Sequence, residues 1–236
     1  RAAQSSEIGK GVSGAEALVR WVSEGRMVPP GDFLPYLENS SMITRLDLWV
    51  LQQACKMLLQ YSDQLPAAFY ISVNVGAWDL VSEDFAARAT ETVHSFGVPT
   101  RRICLEVTES AAIKSFERAR VTLRALRREG FRLYLDDFGA GHSSIRYLRE
   151  FGVDAVKLDR QFLLGVESSE SVQSLVSGFI SLARGMHLDT IIEGIESEEQ
   201  LEFVKSAKAD YVQGYYTGKP MEFERLIETA KLVAPT

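Results

Sequence analysis

Five carboxylates and a lysine recur where apolar, β-branched stretches of the chain run out: Glu16, Glu106, Asp136 with Asp137, Lys157 and Glu193. Two amides, Asn74 and Gln213, join them. Buried strands of parallel sheets read as nearly continuous apolar runs, so charges at the same end of successive runs point to a shared site rather than to solvated surface. Five negative charges converging on one mouth repel one another unless cations are present. Hard divalent cations take carboxylate and amide oxygens, about six ligands per magnesium including waters, and the Asp136–Asp137 pair can set one carboxylate between two ions. Two ions roughly 3.5–4 Å apart form the clamp that activates water and spreads charge in phosphoester hydrolysis. A fixed positive charge at Lys157 can orient the attacking water.

The elements that must position these residues are legible as an alternation. Strand-like segments fall at 68–75, 103–107, 133–138, 155–158, 190–195 and 211–216, each β-branched or aromatic and bounded by turn residues. Helix-like segments lie between them at 82–96, 115–129, 143–150, 170–186 and 198–207, and upstream a strand at 15–21 precedes a long helix at 43–59. Ser115 opens one helix that Gly130 closes, and Ser197 with Gln200 has the spacing of a capping box. Strands alternating with helices make βαβ units and a mainly parallel sheet. Successive polar strand ends from Asn74 to Gln213 lie 20–36 residues apart, against about 30 per unit in an eight-unit barrel of roughly 250 residues. Active sites of such barrels lie at the ends of the strands where these residues fall. Seven strands are readable, so the eighth must lie within 1–12. A doubly wound open sheet is the alternative, but it rarely gathers so many strand ends around one centre.

The 236 residues are 46% hydrophobic, with a formal net charge of −6. That balance argues against a nucleic-acid polymer as partner, which calls for a basic face. A small anionic ligand is still compatible, since bound cations invert the local charge. No apolar run approaches the roughly 18 residues of a membrane span, and no secretory signal is visible. The expected setting is cytoplasmic, either free or as the cytoplasmic portion of a larger protein. The chain starts at Arg1 rather than Met and reads as a piece of something longer. Cys55 and Cys104 read as reduced core thiols, not as a disulfide framework.

The motifs AEALVRW (15–21) with VPPGDFLPYL (28–37) behind it, SVN (72–74), LEVTES (105–110), DDFGAGHSS (136–144), VDAVKLDRQF (153–162), IEGIESEEQL (192–201) and DYVQGYY (210–216) occur in that order. In this the chain resembles the EAL domain from Gly14 to Met221. EAL domains are modified TIM-type (βα)8 barrels that hydrolyse the bacterial second messenger cyclic di-GMP to the linear dinucleotide pGpG with magnesium or manganese. The resemblance implies one such domain over 1–236, with a partial or divergent first strand in 1–13. It also implies two Mg2+ or Mn2+ ions, a homodimer, and sensory or GGDEF-type domains in the full-length protein. By position, Glu16, Asn74, Glu106 and Asp136 resemble ligands of one ion, and Asp136, Asp137 and Glu193 ligands of the other. Lys157, Glu193 and Glu16 resemble the catalytic groups: Lys157 holds the catalytic water, and Glu193 is also assigned as general base. Arg20, Leu18 and Gln213 resemble substrate contacts, with Arg20 meeting a phosphate. Glu109, Glu196 and Asp159 resemble supports of the loop after Asp137.

Two departures from the family pattern bear on rate and binding. The loop that usually reads DDFGTGYSS has Ala140 for Thr and His142 for Tyr, and a lost hydroxyl there loosens a ligand-bearing loop or its coupling to a regulator. The Gln-Pro pair of the family's first strand is missing from RAAQSS (1–6). Other features have plainer readings. His142 reads as a substitution and not a ligand, His94 and His187 as surface or helix-end residues, and Gly139-Ala140-Gly141 as a phosphate cradle or, equally well, a plain tight turn. Arg120, Arg124, Arg127 and Arg128 read as a solvated helix face, and Trp49 as core. Two rival functions stand beside the phosphodiesterase. One is a receptor that binds cyclic di-GMP without turnover; such receptors usually lack a metal ligand, and every one is present here. The other is magnesium-assisted proton abstraction of the enolase kind, which normally brings a capping domain that this chain does not show.

Overall fold

Ala2–Glu7 (β1) and Gly11–Ala17 (β2) lie only three residues apart. So short a connection can join only antiparallel strands, because a parallel crossover needs a dozen residues or more, and the two strands pair antiparallel from Ala2↔Ala17 to Glu7↔Gly11. The computed structural model describes residues 1–8, 10–38, 40–139 and 145–230. Next comes a separate ribbon of Trp21–Ser23 (β3) and Arg26–Val28 (β4), turning at Glu24 (φ 51°) and Gly25 (φ 75°). Two left-handed residues in succession are what a tight two-residue hairpin requires. The strand expected at 15–21 is therefore two elements: β2 begins earlier, in the small residues GVSGA, and Trp21 belongs to the ribbon.

Helices Pro30–Leu37 (α1) and Met42–Gln60 (α2) lead to Tyr70–Asn74 (β5), and Ala77–Leu80 (α3) and Phe85–Ser95 (α4) to Ile103–Thr108 (β6). Glu109–Lys114 (α5) and Phe116–Arg128 (α6) precede Arg132–Phe138 (β7), and Ile145–Phe151 (α7) precedes Ala155–Leu158 (β8). Glu170–Gly185 (α8), Asp189–Glu193 (β9), Glu198–Ser206 (α9), Tyr211–Gln213 (β10) and Phe223–Thr229 (α10) complete the chain. Among the described residues, eight strands close a barrel in the order β1-β10-β9-β8-β7-β6-β5-β2. All its pairings are parallel except the two made by β1. This is the expected modified TIM-type barrel, and its departure from parallel pairing is made by β1, the strand that sequence left least defined. No described helix is long and apolar enough to cross a membrane.

Two strands end earlier than their apolar runs. β9 stops at Glu193 because Gly194 turns left-handed (φ 72°), and β10 stops at Gln213 because Gly214 backs onto the Ile195 backbone, 2.3 Å from where a Cβ would sit. Ser197 Oγ accepts from Gln200 N at 3.2 Å, and Gln200 Oε1 accepts from Glu196 N at 2.8 Å, a reciprocal cap one residue wider than the capping box. Trp49 is 49% exposed, not core. The buried positions of α2, among them Asp47, Leu51, Ala54 and Leu58, occupy one face, and 100° per residue puts Trp49 on the opposite one. Of the arginine stripe, Arg120 pairs with Glu117 and Glu150, and Arg127 donates to the Gly152 carbonyl beside Asp154. Cys55 and Cys104 are buried and free.

Side chains alternate in and out along a strand. Val156 and Leu158 therefore pack outward under the helices, while Ala155 and Lys157 face the barrel axis. The lower interior layer is Tyr70, Cys104, Tyr134, Ala155, Ile191 and Tyr211. Tyr70 and Tyr134 meet edge to face at 5.9 Å, and the Tyr70 hydroxyl donates to Ser5 Oγ at 3.2 Å. Gly14 gives these rings their space, for a Cβ there would lie 2.4 Å from Tyr70 Cζ. Gly14→Ala is expected to destabilise the fold by about 1–3 kcal/mol through overpacking. Denaturant unfolding measures this, and an unchanged midpoint would show that the tyrosine layer has room to yield.

Candidate metal centre

Two residues above that tyrosine layer, the same strands present a second layer that is polar. Position 104 is followed by Glu106, 134 by Asp136, 155 by Lys157, 191 by Glu193, 211 by Gln213, and Gly14 by Glu16. A period of two alone thus lifts every one of these side chains to the mouth on the inner face. Lys157 occupies the middle and is 1% exposed. Its Nζ lies 2.8 Å from Glu106 Oε2, 2.8 Å from Glu193 Oε1, 3.4 Å from Asp136 Oδ1 and 3.6 Å from Glu16 Oε2. Glu16 is also held by amides on both sides: Asn74 Nδ2 donates to Oε1 and Gln213 Nε2 to Oε2, each at 2.8 Å.

Asp136 and Asp137 are adjacent, and a regular strand would turn them to opposite faces. The β7–β8 register shifts between Leu135 and Phe138, and Asp137 takes a left-handed conformation (φ 54°) with its N–H donating to Asp136 Oδ1 at 2.9 Å. A bulge of this kind re-aims side chains beside a site. It brings oxygens of Asp136, Asp137 and Glu193 within 4.8 Å of one another, a set that could hold a metal ion. Held conformations of this type cost of order 1–3 kcal/mol and persist only where the surroundings impose them. Gly139 (φ 95°) follows, with Phe162 packed so closely that a Cβ would meet its ring at 2.2 Å. Glu109 Oε2 accepts from Gly139 N at 3.1 Å, so Glu109 does touch the described start of the loop. Asp159 Oδ1 caps the turn that carries Phe162 by accepting from Gln161 N at 2.8 Å. Glu196 lies exposed ahead of α9, where its backbone donates to Gln200. Ala140 and His142 lie outside the described residues.

Leu18 and Arg20 follow β2 and form a wall between two cavities. One, of about 590 Å3, is also lined by Pro30, Asn74, Thr108 and Lys114; the other, of about 410 Å3, by Glu16, Trp49, Met57 and Phe223. Arg20 Nη1 donates to the Val19 carbonyl at 2.7 Å. Sequence reasoning missed the contacts behind the strand ends: Phe162 on Gly139, and an Asp47 carboxylate on the Gly76 N–H just beyond Asn74. The glycine at 139 was a signal for the first. The second had only a polar residue at a core position of an amphipathic helix.

One lysine faces five carboxylates, so the cluster has an excess of negative charge, and the donor set is the all-oxygen kind that suits hard divalent cations. Without a cation, protons make up part of the balance. Burial, then the charges of Glu16 and Asp136, push Glu106 up to about 8 against the pull of Lys157. Burial, with Asp136, likewise pushes Glu193 up to about 7. Burial opposes ionising Glu16 too, but Lys157 and the two amides outweigh it and hold its carboxyl below the usual range. Burial also opposes the charge on Lys157, yet Glu106, Glu16, Glu193 and Asp136 drive it well above the ordinary lysine value. Burial and Asp136 raise Asp137.

The pH dependence follows from Glu106 and Glu193. A folded-state pKa above the unfolded value of about 4.3 means that the folded protein binds more protons in between, so stability falls as pH rises through the folded values. The melting temperature of the metal-free protein is expected to drop from pH 6 to pH 9. Lys157→Met, which strands its carboxylates, should cost about 3 kcal/mol, and more at pH 9 than at pH 6. Thermal melts in chelator at both pH values check this, and a flat profile for both proteins would contradict the charge balance.

The family model of the EAL domain matches residues 4–220. An uncharacterized signaling protein of Caulobacter vibrioides is 34% identical over 216 residues, covering 91% of this chain and 26% of that protein. The bifunctional diguanylate cyclase/cyclic di-GMP phosphodiesterase MucR of Pseudomonas aeruginosa is 31% identical over 215 residues, 91% of this chain and 31% of MucR. The chain thus spans roughly a quarter to two-fifths of the length of such curated relatives. The structure described as the PaMucR phosphodiesterase in complex with c-di-GMP superposes with a TM-score of 0.89 at 30% identity, covering 95% of this chain and 92% of that one. With its eight-stranded barrel, its polar strand ends and a match over residues 4–220, the chain belongs to the EAL domain family.

Proposed function

We propose that this chain is a metal-dependent cyclic di-GMP phosphodiesterase that releases the linear dinucleotide pGpG. The observation that carries the reading is the ring of Glu16, Glu106, Asp136 and Glu193 around Lys157, with Asp137 turned in beside them. The likeness to the MucR phosphodiesterase complex supports the ligand. In this reading Glu16, Asn74, Glu106 and Asp136 hold one divalent cation, and Asp136, Asp137 and Glu193 hold a second, magnesium or manganese. Bound there, the two ions supply Lewis acidity, neutralising the phosphate and bringing the pKa of water near neutrality.

The residues do the rest. Water attacks phosphorus in line with the departing 3′ oxygen; a new P–O bond forms as the ester P–O bond breaks, and the departing oxygen takes a proton from solvent to leave as the 3′ hydroxyl. Glu193, at the rim of the ring and 2.8 Å from Lys157, is placed as the base that takes the water's proton. Lys157, buried and fixed by its carboxylates, directs an N–H at the attacking oxygen. Arg20 swings its fork of donors from the Val19 carbonyl to a phosphate, while Leu18 and Gln213 border the nucleotide. Glu109, Asp159 and Glu196 steady the loop after Asp137. A cytoplasmic setting, a homodimer and further sensory or GGDEF-type domains complete the proposal.

Incubating the protein with cyclic di-GMP and Mn2+ and separating the products by chromatography tests it. The expected product is pGpG. Binding without a linear product would make the domain a receptor instead. Glu16→Ala should bring turnover to background and weaken Mn2+ binding by at least about tenfold, and a fully active variant would remove Glu16 from the metal site.

A further inference from the structure

Asn74 is the last residue of β5 and carries one of the amides on Glu16. It pairs with Glu106 at the last step of the β5–β6 ladder, and the chain leaves the sheet beyond it. Val75 N–H donates to the Glu106 carbonyl at 2.8 Å, tying the turn to the neighbouring strand end. Gly76 N–H donates to Asp47 Oδ2 at 2.8 Å, tying it to α2. Helix α2 comes so near that a Cβ on Gly76 would lie 2.9 Å from Ile43 Cγ1.

Asp47 is itself anchored. Its carboxyl faces that of Asp79 of α3, whose Oδ2 is buried with no hydrogen-bond donor among the described residues, the Thr44 hydroxyl donates to Asp79 Oδ1, and all three side chains are buried. Two buried carboxyls in contact need a proton between them. Consistent with that, burial, aided by the Asp79 carboxyl, pushes Asp47 up to about 8 against the opposing Gly76 bond. Asp79 N–H donates back to the Gly76 carbonyl at 3.0 Å, and Thr122 of α6 holds the Leu80 carbonyl at 2.9 Å. The turn after Asn74 is thus held at the Gly76 N–H by the Asp47 carboxyl and at the Gly76 carbonyl by the backbone N–H of Asp79.

We propose that Asp47 and Asp79, joined by a shared proton and seated on Thr44, are positioning residues that clamp the Gly76 peptide and so aim the Asn74 amide into the carboxylate ring. The proposal rests on the reading of Asn74 as a metal ligand. An amide can reproduce the clamp, accepting from Gly76 with its oxygen and donating to Asp79 with its nitrogen, whereas alanine cannot. Structural support alone does not separate those two substitutions in metal affinity at equal stability.

Titration calorimetry of the metal-free domain with Mn2+ reads this directly, for wild type, Asn74→Ala, Asp47→Ala and Asp47→Asn. Asp47→Ala is expected to weaken Mn2+ binding by roughly tenfold and to lower kcat with cyclic di-GMP. Asp47→Asn should recover Mn2+ affinity to within about threefold of wild type. If Asn74→Ala binds Mn2+ as wild type does, the assignment of Asn74 as a ligand fails. If Asn74→Ala is weakened but Asp47→Ala is not, or if Asp47→Asn is weakened as much as Asp47→Ala, the clamp fails while that assignment stands. Should Asp47→Ala not fold, Thr44→Val loosens only the seat of Asp79; a loss of roughly threefold in affinity supports the clamp, and no loss overturns it.

Discussion

A single buried ammonium organises the mouth of this barrel. Lys157 reaches four carboxylates that arrive on β2, β6, β7 and β9, and none of those carboxylates has another cation within salt-bridge distance among the described pairs. A buried charge is tolerable only when it is paired and hydrogen-bonded. Lys157 therefore makes the polar layer compatible with folding, and the polar layer in turn fixes Lys157. Neither half would be stable at the end of an otherwise apolar strand. The net charge stays negative even so, and that residue of charge suits the site to cations.

The barrel supplies this arrangement at little structural cost because a period of two does most of the positioning. Tyrosines, Cys104 and Ile191 fill the axis below, and the acids sit one step above on the same inward face. The packed lower layer closes the floor, so the charged layer has water on one side only and feels a low dielectric on the other. That asymmetry lifts Glu106 and Glu193, while Lys157 and then two amides hold Glu16 low against its burial. Asp137 is the exception that a regular strand could not deliver. Its left-handed backbone and the shift in the β7–β8 register turn it into the mouth, and Phe162 and Glu109 hold the segment that follows.

What was legible in the sequence follows the same physics. Charges at the ends of buried strands are anomalous, so Glu106, Asp136, Lys157 and Glu193 stand out from a linear reading, and ordered motifs place Glu16, Asn74 and Gln213 with them. β1 was hard to see because AAQSSE offers small and polar residues with no β-branched signal, and because its antiparallel hairpin breaks the βα rhythm. Trp49 was misread because a large aromatic on an amphipathic helix is usually core, whereas here it lies across the helix from the buried face. The tyrosine layer and the Asp47–Gly76 contact were not readable at all. Both are contacts between residues about thirty or more apart, and no local pattern of spacing encodes a distance across the barrel axis or from a helix to a turn.

These layers make folding and cation binding two readouts of one charge balance. A group that binds only the folded state stabilises it by RT ln(1 + [L]/Kd), and protons on Glu106 and Glu193 and divalent ions at the same oxygens are competing ligands in that sense. Protons restore neutrality but remove lone pairs from the ring; cations restore it while leaving every carboxylate ionised. The tyrosine floor cannot rearrange to relieve the repulsion, since Gly14 already yields it all the space it has. The relief must therefore come from outside the protein, at the open end, where Leu18 and Arg20 divide two cavities. Rigidity below and unbalanced charge above are together what turn a packed barrel into a site.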